Sequence, residues 1–227
     1  MFALGTTLTV ALQHVTYCIQ YKTNSDGSER LSNYESMQLS LGSIAAQSYP
    51  RVILLLVFNF VSPTAAGLVS FVKSGINGVG MVVTILRRHD IIYLIKQTSV
   101  QKVQMPAALL ISQKHSLSLG CLGYVGAFAA VTFFGKQGIE SHLHFTFGLF
   151  TTAIYWLVTS ALLQGLLASG QYSLLTKINL TSVFINLIFF TALLPTTGMY
   201  SIIAGEFAMC TFQLWAYFKR GNQACGS

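Results

Sequence analysis

Two polar side chains in the last apolar stretch of the chain, Glu206 and Gln213, have the chemistry of a membrane-embedded site. They are seven residues apart, which is two turns of one helix face. Ionisable groups inside a membrane are costly and usually face the bundle interior or a cavity. The pair therefore predicts a polar stripe. It either binds a lipid headgroup, a proton or an ion, or it joins helices through hydrogen bonds.

His142 and His144 stand beside Glu140, and His-x-His with a nearby carboxylate can bind zinc. No further ligand from elsewhere is identifiable, and the four cysteines form no CxxC pair. We therefore predict no metal and no cofactor. Interfacial histidines are more often solvated, and a lipid-headgroup contact at His142 is favoured over a metal.

Asn59 and Pro63 lie in a second apolar stretch. Pro63 frees a backbone carbonyl and is expected to kink a membrane helix, which opens a cavity or simply aids packing. Gly120, Gly123 and Gly126 recur every three residues and predict close helix packing.

Soluble catalytic motifs are missing from the sequence. Gly-x-Ser-x-Gly is absent, so a hydrolase elbow is excluded. GxxxxGK[ST] is absent too, so there is no phosphate loop. No nucleophile can be identified, and the sequence leaves open whether the protein is an enzyme.

The composition explains where these residues must sit. Of the 227 residues, 53% are hydrophobic and only 8% are charged, against about 25% charged in a soluble domain. The net charge of +7 resides between apolar runs, so it indicates membrane orientation rather than nucleic-acid binding. We predict one all-α domain, a polytopic transmembrane bundle of about six helices.

The apolar runs approach the roughly 20 residues that a membrane helix needs. The predicted spans are 1–18, 52–72, 117–134, 145–168, 178–194 and 200–218. Residues 19–50 are predicted to form a luminal loop. Residues 73–116 are predicted to form a cytosolic or surface loop. Its apolar part, Ser74–Leu86, is short and meets charges, so it is expected at the membrane surface or in a re-entrant hairpin. A seventh crossing is the alternative for this stretch.

The distribution of basic residues predicts the orientation of this six-helix arrangement. With both termini in the cytosol, most basic residues lie on the cytosolic side, as the positive-inside rule requires. The cytosolic ones are Lys73, Arg87, Arg88, Lys96, Lys102, Lys114, Lys177, Lys219 and Arg220. The luminal ones are Lys22, Arg30, Arg51 and Lys136.

Three short motifs resemble the Frag/DRAM/Sfk family of six-helix membrane proteins, and within it the post-GPI-attachment-to-proteins factor 2 branch. Residues 43–51 (SIAAQSYPR) resemble the family's approach to its second helix. Ser62-Pro63 with Leu68-Val69-Ser70-Phe71 resembles a stretch inside that helix. Residues 198–207 (GMYSIIAGEF) resemble the family's approach to a membrane glutamate, and His142 resembles a histidine that opens its fourth helix.

The resemblance implies a multi-pass protein of the Golgi or endoplasmic reticulum that acts in lipid remodelling of GPI anchors. Glu206 and His142 would then line a lipid-facing cavity with Gln213 and Asn59, and Arg51 would pair with an anchor phosphate. The implied partners are membrane lipids, GPI-anchored proteins and other membrane proteins, with no nucleic acid. Two alternatives stay open: a non-enzymatic autophagy, lysosomal or phosphoinositide-signalling modulator, and a small transporter or channel subunit.

Overall fold

The computed structural model describes residues 48–98, 106–135, 142–168 and 171–224. Its helices are α1 Ser48–Phe60, α2 Pro63–Thr98, α3 Pro106–Ser112, α4 Lys114–Phe134, α5 Leu143–Ala168, α6 Tyr172–Thr197 and α7 Ser201–Ala224. A 3-10 turn, Gly198–Tyr200, joins α6 to α7. The described residues contain no strand, so the predicted all-α class is confirmed. The predicted first span, 1–18, and nearly all of the predicted luminal loop lie outside the described residues.

Four described helical segments are long and apolar enough to cross a bilayer: Pro63–Arg87, Lys114–Phe134, Leu143–Leu167 and Tyr172–Lys219. The last runs for 48 residues and contains α6 together with α7 as far as Lys219. Large apolar side chains such as Leu122, Phe134 and Phe184 are exposed on the outer surface, where lipid is the matching solvent. The chain is a multi-pass membrane protein.

The predicted single helix over 52–72 is wrong. The chain turns at Val61 and Ser62, and α2 starts at Pro63. The Ser62 hydroxyl accepts a 3.0 Å hydrogen bond from the Ala65 backbone N–H, which is how an N-cap residue satisfies a free helix donor. Proline is favoured at the first helical position because it has no N–H to leave unsatisfied. Ser62-Pro63 therefore starts a new helix where the sequence suggested a kink.

α1 folds back along α2 after this turn. Pro50, Ile53 and Leu54 of α1 line the same small cavity as Val69 to Asn77 of α2. A continuous helix would separate Pro50 from Asn77 by roughly 40 Å at about 1.5 Å per residue, so shared lining requires an antiparallel pair. Arg51 consequently lies near the level of Lys73, instead of at the opposite end of one crossing helix.

The predicted loop over 73–116 is wrong for most of the described residues. α2 continues without a break from Pro63 to Thr98, a length of 36 residues, and Lys73, the first residue of the predicted loop, lies inside it. The apolar run Ser74–Leu86 is the second half of a candidate span rather than a segment on the membrane surface.

α2 and α4 run antiparallel and in close contact. A methyl group at Gly75 would lie 3.0 Å from Val131 near the end of α4, whereas one at Gly120 near its start would lie 3.0 Å from Val83. A methyl group at Gly123 would lie 2.9 Å from a Val79 methyl, but one at Gly126 would meet nothing within 4 Å. Residues three apart are offset by about 60° around the helix axis. Gly126 therefore lies on a different face of α4 from Gly120.

α6 and α7 form an antiparallel hairpin. Asn186 lies against Gly205, and Ser182, one turn earlier on α6, contacts Gln213, two turns later on α7. The Gly198 φ of 56° falls in the region that glycine adopts most readily, which suits it to end α6.

Candidate functional site

Glu206 forms an ion pair with Lys73 inside the helix bundle. The Lys73 Nζ donates to Glu206 Oε1, and the Thr152 hydroxyl lies 3.0 Å from Glu206 Oε2. Lys73 comes from α2, Thr152 from α5 and Glu206 from α7, so three helices running in the same direction meet at one point. We call these three residues the ion-pair site.

The ion-pair site is enclosed. The Lys73 and Glu206 side chains are 17% and 9% exposed, and Thr152 is buried. Cys210, one turn after Glu206, is fully buried. Pairing removes most of the cost of placing each charge away from water, provided that the remaining polar atoms are also satisfied.

The ion-pair site adjoins the cavity between α1 and α2. The cavity has a volume of about 90 Å³, and Lys73 forms part of its wall with Ser70, Ser74 and Asn77. Its α1 side is apolar apart from the backbone. A space of this size accommodates about three water molecules at the roughly 30 Å³ that each occupies in the liquid. One face of Lys73 thus meets Glu206, while the other meets this small cavity.

Gln213 is buried, as Glu206 is, but it bonds to a different helix. Its Nε2 donates a 3.1 Å hydrogen bond to the Ser182 hydroxyl of α6. Asn186, one turn on from Ser182, is also fully buried, and its Nδ2 lies 3.8 Å from the Met209 sulfur. The two residues of the predicted polar stripe therefore bond to different helices: Glu206 to α2 and α5, and Gln213 to α6.

Two other predicted site residues, Asn59 and His142, lie away from Glu206. Asn59 is exposed and donates a 2.8 Å bond to the Leu55 carbonyl of its own helix. His142 is half-buried at the start of α5, about 15 Å along the helix from Thr152 at about 1.5 Å per residue. Arg51 is exposed on α1.

Metal-ligating side chains do not converge in the part of the chain that the structure describes. No group of three His, Cys, Asp or Glu side chains is close enough there to hold an ion. His144 is exposed, and Glu140 lies outside the described residues.

Sequence reasoning missed a second buried cation, Arg87. Its guanidinium donates to the Ser160 hydroxyl and to the Leu157 carbonyl, and its Cζ lies 6.0 Å from the centre of the Trp156 ring. Gln113, at the start of α4, joins the same level of the bundle through a 2.9 Å bond from its Nε2 to the Ala161 carbonyl.

Several polar atoms at this level have no hydrogen-bond partner among the described residues. They are Arg87 Nε, Asp90 Oδ2, Gln113 Oε1 and Gln164 Oε1. We call Arg87 with its Ser160 and Leu157 partners the arginine site.

The signal that could have located Lys73 and Arg87 in the bundle is Ser62-Pro63. Read as an N-cap followed by the first helical residue, it places both cations on one helix, 14 residues apart. That is close to four turns, so both residues face the same helices.

The fold and the ion-pair site define the class of this molecule as a multi-pass α-helical membrane protein with a charged pair inside its bundle. No protein-family model, no curated protein and no solved structure matches the chain.

Proposed function

We propose that this protein binds a membrane lipid within its helix bundle and takes part in the lipid remodelling of GPI anchors in the Golgi or endoplasmic reticulum. The observation that carries the proposal is the ion-pair site, with Lys73 shared between Glu206 and the cavity between α1 and α2. The sequence resemblance supplies the substrate class, and the geometry supplies the polar groups.

Charged side chains inside a membrane carry a free-energy cost. A lysine or an acidic residue at the centre of a membrane helix disfavours insertion by roughly 2.5 to 3.5 kcal/mol. Apolar residues would fill the same space without this cost, and membrane-embedded charges generally mark pathways or binding sites. We therefore favour a functional role for the Lys73–Glu206 pair over a purely structural one.

The position of the cavity gives a membrane lipid access to Lys73. The cavity lies between α1 and α2, and the α1 surface beside it is apolar, with Leu55, Phe58 and Phe60 exposed. An acyl chain can follow this apolar surface while the ester or phosphate of the same lipid reaches Lys73, Ser74 and Asn77. The lysine supplies charge for a phosphate, and the hydroxyl and amide groups supply hydrogen bonds for an ester carbonyl.

The depth of Glu206 in the membrane also supports the proposal. Lys114 at the start of α4, Lys177 in the first turns of α6 and Lys219 near the end of α7 lie at one end of the bundle. By the positive-inside rule that end faces the cytosol. Glu206, about 8 Å along α7 from Ser201, is then in the luminal half of the membrane, where GPI-anchored proteins are attached.

The test is rescue of cells that lack the endogenous anchor-remodelling factor. The chain is introduced as wild type, as Glu206→Gln, and as the charge swap Lys73→Glu with Glu206→Lys. Surface GPI-anchored protein is measured by flow cytometry and anchor acyl chains by mass spectrometry. Lys114→Gln, which removes an exposed lysine far from the site, is the matched control.

We expect rescue by the wild type and by Lys114→Gln. We expect no rescue by Glu206→Gln or by the charge swap when both are expressed and localised normally. Rescue by the swap would reduce the pair to a structural contact, because the swap keeps the attraction but moves the carboxylate. No rescue by a correctly localised wild type would overturn anchor remodelling and favour the non-enzymatic modulator.

Proton-coupled transport is a second candidate, favoured by the contact of Glu206 with both an ammonium and a hydroxyl. A proton arriving on the carboxylate would release Lys73, which is a charge change that transport can use. Purified protein in liposomes with an imposed pH gradient would then acidify the lumen faster than Glu206→Gln protein. Equal rates for both proteins would remove this candidate.

A further inference from the structure

A groove between α6 and α7 lies at the opposite end of the bundle from the ion-pair site. Its volume is about 340 Å³, which is within the range of about 300 to 1,000 Å³ of small-molecule sites. Among the residues that line the groove are Lys177, Ile178, Thr181, Phe212, Trp215 and Lys219.

The polar side chains of this groove are arranged in two facing pairs. Lys177 and Thr181 are four residues apart on α6, and Trp215 and Lys219 are four residues apart on α7, so each pair lies on one helix face. The two helices are antiparallel, which places Lys177 and Lys219 together at the outer end. The described residues that line the groove include no carboxylate, so none of them neutralises either ammonium.

Aromatic side chains hold one of the lysines in place. The Lys219 Nζ lies 4.7 Å from the centre of the Trp215 ring, and the Phe212 and Trp215 rings are 5.8 Å apart. A lysine over a tryptophan face is attracted by the ring quadrupole. Tryptophan also prefers the level of the lipid headgroups, which is where an ammonium meets a lipid phosphate.

We infer that this groove binds the headgroup phosphate of an anionic glycerophospholipid. The two ammonium groups receive the phosphate at the outer end, and Phe212, Trp215 and Ile178 contact the upper acyl chains at the inner end. The occupant is a lipid rather than a soluble anion because the groove lies within a membrane-spanning segment, Tyr172–Lys219. Basic pockets between membrane helices bind anionic headgroups on the same principle.

This site goes beyond the proposed function. It shares no residue with the ion-pair site, and its ligand belongs to the opposite leaflet. A basic residue near the membrane surface contributes about 1 kcal/mol toward anionic lipid, which is about fivefold in affinity.

The experiment uses the full chain in nanodiscs of phosphatidylcholine and phosphatidylserine. Brominated acyl chains on one lipid at a time quench Trp215, and the ratio of quenching gives the selectivity for the anionic lipid. A Trp215→Phe variant sets the background from Trp156. The variants are Lys177→Gln, Lys219→Gln and their combination, with Lys114→Gln as the control at the same end of the bundle. Inorganic phosphate is added as a competitor.

The wild type is expected to prefer phosphatidylserine. Each groove variant should lower that selectivity about fivefold and the combination about 25-fold, while Lys114→Gln leaves it unchanged. Unchanged selectivity in the combined variant, or an equal loss in Lys114→Gln, would overturn the site. Displacement of the lipid by millimolar inorganic phosphate would assign the groove to a free anion instead. Because the readout is lipid contact, it is independent of rescue in cells.

Discussion

The two buried cations of α2 are stabilised in different ways. Lys73 meets a carboxylate of another helix, Glu206. Arg87 meets a hydroxyl, a backbone carbonyl and an aromatic ring, and it forms no salt bridge among the described residues. Arginine suits the second arrangement because its planar fork donates in several directions at once, whereas a lysine ammonium is a compact charge that is best matched by another charge.

The ion-pair site and the arginine site differ in how strongly a substitution is expected to destabilise the protein. At the ion-pair site, removing either partner leaves an uncompensated charge in a low-dielectric interior. At the arginine site, the two hydrogen-bond acceptors of the cation are neutral, and the Ser160 hydroxyl keeps a 2.6 Å bond to the Trp156 carbonyl of its own helix. We therefore expect the larger energetic penalties at the ion-pair site, together with stronger coupling between its members.

The largest expected effect comes from Glu206→Ala. It leaves Lys73 unpaired, and we expect the free energy of unfolding to fall by about 3 to 5 kcal/mol. The double variant Lys73→Met with Glu206→Gln should recover most of that loss because it buries no charge. Unfolding titrations of purified protein in bicelles measure both. A double variant no more stable than Glu206→Ala would show that the pair is not what holds these helices together.

A smaller loss is expected for Arg87→Met. Hydrogen bonds from a charged group contribute about 1.5 to 3 kcal/mol, and both groups that accept from Arg87 are neutral, so we expect a loss of about 2 to 3 kcal/mol. Lys114→Met, an exposed basic residue at the same end, should stay within about 0.5 kcal/mol of the wild type. The same unfolding titration applies. A cost for Arg87→Met equal to that of Glu206→Ala would abolish the contrast between the two sites.

A packing change next to the ion-pair site tests whether helix approach, and not charge alone, positions Glu206. A methyl group at Gly205 would lie 2.6 Å from Asn186 Oδ1 and 2.9 Å from the Asn186 backbone carbonyl oxygen. The Asn186 backbone cannot move aside as a flexible side chain can. Gly205→Ala should therefore lower the free energy of unfolding by about 1 to 3 kcal/mol.

Gly126→Ala is the matched control for Gly205→Ala, because a methyl group there meets nothing within 4 Å. It should be neutral or gain up to about 1 kcal/mol from helix propensity. Thermal unfolding in detergent, followed by circular dichroism, compares the two. An equal response would mean that α6 and α7 can separate freely at this point.

The smallest effect is expected for Thr152→Val, which removes the hydroxyl facing Glu206. One hydrogen bond to a side chain is worth about 1 kcal/mol. Thr151→Val is the neighbouring control, since Thr151 is exposed and its hydroxyl donates to the Phe147 carbonyl of its own helix. In a Glu206→Gln background the cost of Thr152→Val should shrink, and an undiminished cost would show that Thr152 acts independently of the carboxylate.

The sequence by itself determined the membrane character, the all-α class and the approximate positions of α4 to α7. These properties follow from composition and from the length of apolar runs, which are local quantities. The sequence also identified Glu206 and Gln213 as buried polar residues, because an acidic or amide side chain inside an apolar run must find a partner in the protein.

Only the tertiary structure decided which groups those partners are. Lys73 is 133 residues away from Glu206, and it reaches the carboxylate only because α2 begins at Pro63 and runs past the predicted loop. Gln213 shares a helix face with Glu206, yet it bonds to α6 because its position along α7 places it beside Ser182. A helix pattern fixes which residues point inward, but the partner of each depends on the depth and direction of neighbouring helices, which no local pattern contains.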